Sequence, residues 1–404
     1  MEGSLQDNST KKVIVGLTGR VGSSVAAFLL KKQGYQVIGM SIVTNLNDNF
    51  EDSKFYPKCH IENLDKINEF CNSLKIPFYA ADAKSRFEDE VIDPLLGNKL
   101  IGRANSSCFN CTDMRIKVMY EKMLKLKADY IATGHFCKIH KNLDSDEYFV
   151  HSNNDPDSDQ SYLLSNIDER YLKHLILPLG ELRSSEILKI SQKFNLKLAS
   201  ENILDNFCFK KKESYSYYID KRVAKSLIKE GQIYNLDTEN YLGDHNGMIN
   251  HYITEKNLEI KQSNHKADED VEIIKYEYDR SVISIGSHKH LTFKGTQLVN
   301  LTLNQHMDKS KPIECFIKNK YSQKMVKSQL FFKNNSSALI EFEQDLYPVI
   351  EGEVFVLFDR DSRNAKVIGR GIVASRGKFE FISRIDEFKK NNEKPGSGQN
   401  IFKF

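Results

Sequence analysis

Two places in this 404-residue sequence carry side chains able to do chemistry: three of its seven cysteines, and one turn rich in glycine and hydroxyl groups. Cys108 and Cys111 form a C-x-x-C pair, and Cys208 follows far downstream. A thiolate is a soft, strong nucleophile and a good metal ligand. A C-x-x-C pair taken alone is as compatible with a structural role as with a reactive one. Cys59, Cys71, Cys137 and Cys315 stand singly in mixed or apolar surroundings, where a buried, inert thiol is the default. The odd cysteine count and the polar stretch 1–12, which lacks the apolar core of an export signal, argue against a disulfide framework. The turn reads Gly16-Leu17-Thr18-Gly19-Arg20-Val21-Gly22-Ser23-Ser24. Placed between a strand and a helix, such residues expose backbone N–H groups and aim a helix N-terminus at one point, which makes an anion site. The same turn also serves as an ordinary strand–helix connection.

The elements that would position these groups alternate. Residues 13–17 are a short apolar, β-branched run, and a helical pattern follows to about Gln33, where Gly34 stops it. Residues 36–43 read as a strand, 64–74 as a helix and 77–81 as a strand. A helix at 115–126 and a strand at 130–133 follow. This alternation implies βαβ units and a parallel sheet covered on both faces, with the ligand crevice at the carboxyl ends of the strands. Residues 206–266 are rich in Lys, Asn and Tyr and weakly periodic. After residue 281 the pattern changes to short strands at 282–285, 338–342, 353–358 and 365–373, which suggests a small antiparallel barrel. The expected organisation is an α/β domain over 1–205, a small central domain over 206–280, a β-barrel over 281–386 and a flexible tail over 387–404.

Hydrophobic residues are 40% and charged residues 28% of the chain, which excludes a mostly disordered chain or a fibrous repeat. No run of about 18 apolar residues is present, so no membrane-spanning helix is expected, and the chain is expected to be cytoplasmic. The net charge of +3 is too small to argue for a polyanion partner. Locally, residues 309–328 hold six Lys and one Glu, and residues 210–230 hold seven basic and three acidic side chains. Either stretch reads as a phosphate-binding face or as a solvated lysine-rich surface.

The turn resembles the pyrophosphatase loop (PP-loop) of ATP-dependent adenylating enzymes, whose usual form is Ser-Gly-Gly-x-Asp-Ser-Ser. The rest of the chain resembles one family of that class, the tRNA-specific 2-thiouridylases. The resemblance rests on motifs in the family's order: Lys31-Lys32-Gln33-Gly34-Tyr35-Gln36-Val37-Ile38-Gly39, Gly102-Arg103, Cys108-Phe109-Asn110-Cys111, and Ala128-Asp129-Tyr130-Ile131-Ala132-Thr133-Gly134-His135. Asp159-Gln160-Ser161-Tyr162-Leu163, Pro178-Leu179-Gly180-Glu181-Leu182 and Cys208-Phe209 continue it, and Gly243-Asp244-His245-Asn246-Gly247 and Gly369-Arg370-Gly371-Ile372-Val373 extend it weakly.

The resemblance implies an adenine-nucleotide alpha-hydrolase-like sheet domain followed by a barrel that contacts tRNA. It implies ATP with Mg²⁺, adenylation of the C2 oxygen of the wobble uridine, and delivery of sulfur to C2 from a cysteine persulfide. ATP binding falls on Gly16, Leu17, Thr18, Gly19, Arg20, Val21, Gly22, Ser23, Ile42 and Gly134. By position Cys208 matches the persulfide carrier, Cys111 the nucleophile or resolving cysteine, and Cys108 a position where the family has Asp or Cys. Cys108, Cys111 and Cys208 could instead hold an iron–sulfur cluster of the [4Fe-4S] kind, or the pair a zinc half-site. Contacts to tRNA fall on Ser106, Ser107, His135, Ser158, Asp159, Gln160, Lys320, Tyr321 and Glu353. Asp159-Gln160 also reads as a helix N-cap. A persulfide-donating protein is the implied partner, and the chain is expected to be a monomer.

Several positions depart from the family pattern. Gly22 stands where the loop has Asp, Arg20 where it has Gly, and Ser106-Ser107 where the family has Asn-Pro. An arginine at position 20 would be strained at positive φ, yet its guanidinium could replace part of a metal's charge on pyrophosphate. Lys320 stands for Arg and loses the bidentate fork. Glu353 stands for Gln and would repel phosphate. Two readings follow: an active tRNA sulfurtransferase with a modified loop, and a degenerate paralogue that binds tRNA or carries sulfur without adenylating. Adenylation of a small metabolite leaves the barrel and the cysteines unexplained.

Overall fold

In the computed structural model the described residues are 8–44, 64–104, 107–196, 216–256, 258, 271–303, 307–319 and 324–375. Among them no helix is long and apolar enough to cross a membrane. The first domain runs β1 (Lys12–Gly16), α1 (Val21–Lys32), β2 (Gln36–Val43), α2 (Leu64–Ser73), β3 (Phe78–Asp82), α3 (Lys84–Phe87), α4 (Asp93–Leu100), α5 (Ser107–Lys125) and β4 (Tyr130–Ala132). A hairpin of β5 (Cys137–Lys141) and β6 (Tyr148–Ser152), then α6 (Glu169–Leu172), β7 (Leu175–Ile176) and α7 (Ser184–Lys193), complete it.

The parallel sheet has the order β3-β2-β1-β4-β7. Successive residues of a strand face opposite sides. Val13 and Val15 therefore pack with Val25, Ala26 and Leu30 of α1 and Ile187 of α7, whereas Ile14 packs with Met119 and Met123 of α5. The chain winds outward from β1 to β3 and then returns to β4 on the other side of β1. The switch point between β1 and β4 is where such sheets open a ligand crevice, and the turns at 16–21 and 133–136 lie at its mouth.

α8 (Ser216–Arg222) is tied to the first domain by Arg222, which donates to both carboxylate oxygens of Asp93 at 2.6 Å and to Glu88 at 2.6 Å. A four-stranded sheet follows, built from β8 (Gly231–Asn235), β9 (Tyr241–His245), β10 (Val271–Glu277) and β11 (Val282–Ser287) in the order β10-β11-β8-β9. The strand at 282–285 was expected to open the barrel. It lies instead in this sheet, parallel to β8, with Ile283 against Ile233. Both isoleucines enter a core separate from the barrel interior, and that core is what claims the strand.

The barrel comprises β12 (Phe293–Leu303), β13 (Ile313–Lys318), β14 (Val326–Asn334), β15 (Ser337–Leu346), β16 (Val354–Phe358) and β17 (Val367–Ser375), closed in the order β12-β15-β14-β13-β16-β17. β16 shows how the barrel meets the first domain. Phe355 and Leu357 point into the barrel, whereas Val354, Val356 and Phe358 join the core built around α5. Backbone bonds reinforce the contact: Ala104 N donates to Glu351 O at 2.7 Å, and Ser152 N to Ala365 O at 2.8 Å. The tail at 387–404 lies outside the described residues.

Candidate functional site

The phosphate-type turn is folded by its own hydroxyls. Leu17 N donates to Met40 O at 2.7 Å, and Ser41 Oγ to Leu17 O at 2.9 Å, which holds the end of β1 to β2. Gly19 takes φ +83°, a conformation that side chains rarely adopt. Arg20 is the N-cap of α1 with extended φ −107° and ψ 161°. The strain expected of an arginine at this position is therefore absent, because the positive φ falls on Gly19. Ser23 Oγ accepts from Thr18 N at 3.3 Å and donates to Arg20 O at 3.1 Å, while Ser24 Oγ donates to the same carbonyl at 2.8 Å. Leu17 and Val21 are buried anchors of the turn. Ile42 sits near the end of β2 with its side chain in the core, so the crevice edge there is backbone.

Gly134 closes the other side of the crevice. A Cβ on it would lie 2.7 Å from Gly22 C and Ser23 N, so only glycine lets the β4 turn touch the first turn of α1. A Cβ on Gly22 would meet Gly134 O at 3.3 Å, with the Phe136 ring and Leu179 beyond it. An aspartate would thus start in tight contact with a carbonyl oxygen. The first turn of α1 carries no acidic residue, and among the described residues no group of three His, Cys, Asp or Glu could hold a metal ion. The residues at the turn do not fit a Mg²⁺ ion held by protein carboxylates.

His135 and Gln160 are brought together beside Gly134. Thr133 Oγ1 lies 2.8 Å from His135 Nδ1. Phe136 N donates to Gln160 Oε1 at 3.1 Å, and Gln160 N returns a bond to Phe136 O at 3.0 Å. Three of the residues expected to contact tRNA are buried. Ser158 is buried and donates to Asp155 O. Asp159 is buried and accepts from Asn153 N (3.1 Å), Ser161 N (3.3 Å), Ser161 Oγ (2.7 Å) and Lys318 Nζ (3.3 Å). Its carboxylate organises the 153–161 loop and pairs with a barrel lysine, so it is turned away from any external phosphate. Glu353 is also buried, between the barrel and the first domain, where a Cβ on neighbouring Gly352 would fall 2.9 Å from Arg103 Cβ. The expected repulsion between Glu353 and phosphate does not arise, because the side chain does not reach the surface. Ser107 is the first residue of α5 and is buried. Ser106, Lys320, Tyr321 and Cys208 lie outside the described residues.

The C-x-x-C pair is helical. α5 starts at Ser107, two turns before the helix read from the sequence, so Cys108 and Cys111 share one face. Phe109 anchors this extension by an edge-on contact with Tyr162, ring centroids 5.5 Å apart. Tyr162 is the adjoining residue that the motifs included without a role. Burial raises its phenol well above the ordinary value, with Cys108, Asp159 and Glu353 adding to the shift. Arg115 is the residue the sequence reading missed: its Nε donates to Cys111 Sγ at 3.2 Å. Spacing of four on a helix was the available signal, but the helix was read as beginning at Arg115 itself. The guanidinium places a cationic hydrogen-bond donor on the Cys111 sulfur.

The remaining described cysteines are fully buried. Burial pushes the thiols of Cys71 and Cys315 up to about 12, and burial together with Asp159 pushes Cys137 up as well. Alkylation of the native chain at pH 8 is therefore expected to label Cys108 and Cys111 and to spare Cys71, Cys137 and Cys315 until denaturant is added. Peptide mass mapping reads the outcome, and fast native labelling of Cys137 would contradict it.

An α/β sheet with a phosphate-type turn at its switch point, a helical C-x-x-C pair and a closed barrel packed on the core around that helix define a HUP-type domain joined to a β-barrel. Residues 11–212 match the family model described as "tRNA methyl transferase HUP domain", and residues 293–373 match "Aminomethyltransferase beta-barrel domain". Relatives agree along nearly the whole chain. A protein of Geobacillus kaustophilus, "tRNA-specific 2-thiouridylase MnmA 1", is 29% identical over 356 residues, covering 87% of this chain and 93% of the relative. "tRNA-specific 2-thiouridylase MnmA" of Clostridioides difficile is 27% identical over 366 residues, covering 90% and 98%. A Clostridium tetani relative, "tRNA-specific 2-thiouridylase MnmA 1", reaches 34% over 249 residues, covering 61% and 66%. The chain belongs to the tRNA-specific 2-thiouridylase family.

Proposed function

We propose that this protein replaces the C2 oxygen of the wobble uridine of tRNA with sulfur at the expense of ATP. The observation that supports the reading is a chain of contacts: the phosphate-type turn touches the Gly134-His135 turn, Gln160 bonds to Phe136 of that turn, and Tyr162, two residues on, packs against Phe109 of the helix that carries the cysteine pair. ATP is bound by the backbone N–H groups at the start of α1, with Arg20 beside the pyrophosphate. The C2 oxygen attacks the α-phosphate, the bond to the β-phosphate breaks, and pyrophosphate leaves. The terminal sulfur of a Cys208 persulfide attacks C2, and the Cys111 thiolate attacks Cys208 Sγ. The persulfide bond breaks, AMP leaves with the C2–O electron pair, and a Cys111–Cys208 disulfide remains for a thiol reductant to reopen. That disulfide requires the two Cα atoms to come within about 7 Å. A separate protein supplies the sulfane sulfur, and the chain works as a monomer. The test is mass spectrometry of nucleosides from a strain carrying only this copy. Normal 2-thiouridine at the wobble position supports the reading, and its absence refutes it.

The altered turn favours the second reading, a paralogue that binds tRNA or carries sulfur without adenylating. A mutant cycle at positions 20 and 22 separates the two. If Arg20 neutralises pyrophosphate, Arg20→Gly lowers pyrophosphate release, and adding Gly22→Asp restores part of it. The coupling expected between the two sites is more than about 1 kcal/mol. In a decayed turn Arg20→Gly is neutral and the two changes are additive.

A further inference from the structure

We infer that Arg115 is a positioning residue that supports Cys111 as an anionic sulfur. Cys111 sits in the second turn of α5, largely buried in the core shared by the sheet and the barrel. Burial of a thiol in apolar surroundings makes it inert, which is the state of Cys71, Cys137 and Cys315. At Cys111 a guanidinium N–H donates to the sulfur at 3.2 Å. Arg115 stays charged at all accessible pH values, and its planar fork is held one helical turn below the sulfur. Negative charge on Sγ therefore has a fixed counter-charge. Cys108 is half-exposed and beside Tyr162, and Cys111 is the more buried thiol of the pair, with the guanidinium on its sulfur. In the resolving step this keeps the Cys111 electron pair available for the Cys208 sulfur. This assignment rests on the thiolation reading for its role, but not for its test.

The test measures iodoacetamide alkylation of the full-length chain at pH 7, followed at each cysteine by peptide mass spectrometry. In that reaction the sulfur electron pair forms a C–S bond while the C–I bond breaks and iodide leaves, so the rate follows the anionic sulfur alone. Arg115→Gln removes the charge and is expected to slow Cys111 about tenfold, with Cys108 changed by less than about twofold. Arg115→Lys restores a cation and is expected to return Cys111 to within about threefold of the wild-type rate. Cys71 reports folding in the same digest; should the glutamine variant expose it, Arg115→Met replaces that variant. A wild-type Cys111 rate in the uncharged variant, or a lysine variant as slow as glutamine, overturns the inference. If tRNA thiolation is absent while the alkylation pattern holds, the proposed function falls and the role of Arg115 in supporting the thiolate stands.

Discussion

Cys111→Ser is expected to lower 2-thiouridine formation by on the order of a thousandfold or more, with ATP binding unchanged. A serine hydroxyl occupies nearly the same space and leaves the packing of Phe109 against Tyr162 in place. It remains protonated at neutral pH, however, and is far too weak a nucleophile to open a persulfide. The nucleotide turn lies at the other end of the Phe136–Gln160–Tyr162 chain of contacts, and its serine hydroxyls bond within the turn itself. Cys108→Ser is expected to cost far less, since Cys108 takes no part in the proposed disulfide. Nucleoside mass spectrometry on tRNA treated with ATP and a persulfide donor measures the first quantity, and calorimetry the second. Retention of a tenth of wild-type thiolation by Cys111→Ser would sink the mechanism.

Lys318→Met is the stability counterpart. Lys318 leaves β13 of the barrel and pairs with Asp159 of the first domain at 3.3 Å, with both side chains almost wholly buried. Two desolvated charges in contact add little compared with a well-packed apolar pair, but removing one partner strands the other. Stranding Asp159 is expected to cost about 3 kcal/mol, at the low end for a broken buried pair because Asn153 N, Ser161 N and Ser161 Oγ still donate to the carboxylate. The same substitution frees the 153–161 loop that carries Gln160, so thiolation should fall along with the melting temperature. Asp159→Asn in the Lys318→Met background removes the stranded charge and should recover most of the loss. Urea unfolding of the wild type, both single variants and the double variant measures the coupling. Additive costs would show that the pair does not join the barrel to the sheet domain.

The sequence by itself determined the elements whose signals are local. Val13, Ile14 and Val15 mark a buried strand because three successive apolar, β-branched residues suit a sheet covered on both faces. Gly34, at φ +91°, ends α1 where its position predicts. The turn at 16–24 and the cysteines were legible by residue type. What the tertiary structure decided depends on partners distant in the chain. The helical pattern was legible only from residue 115, because Asn110, Thr112 and Asp113 dilute the apolar period before it; Phe109 is held there by Tyr162, which only the fold brings near. Asp159 and Glu353 read as surface residues because charge usually seeks water. Asp159 is buried because a lysine 159 residues further on meets it, and Glu353 because the barrel docks over the start of α5. The strand at 282–287 could have entered either core, since its alternation suits both; pairing with β8 selected one. Arg115 became significant once α5 was seen to begin at Ser107, because only a helix through Cys111 brings residues four apart within hydrogen-bonding distance.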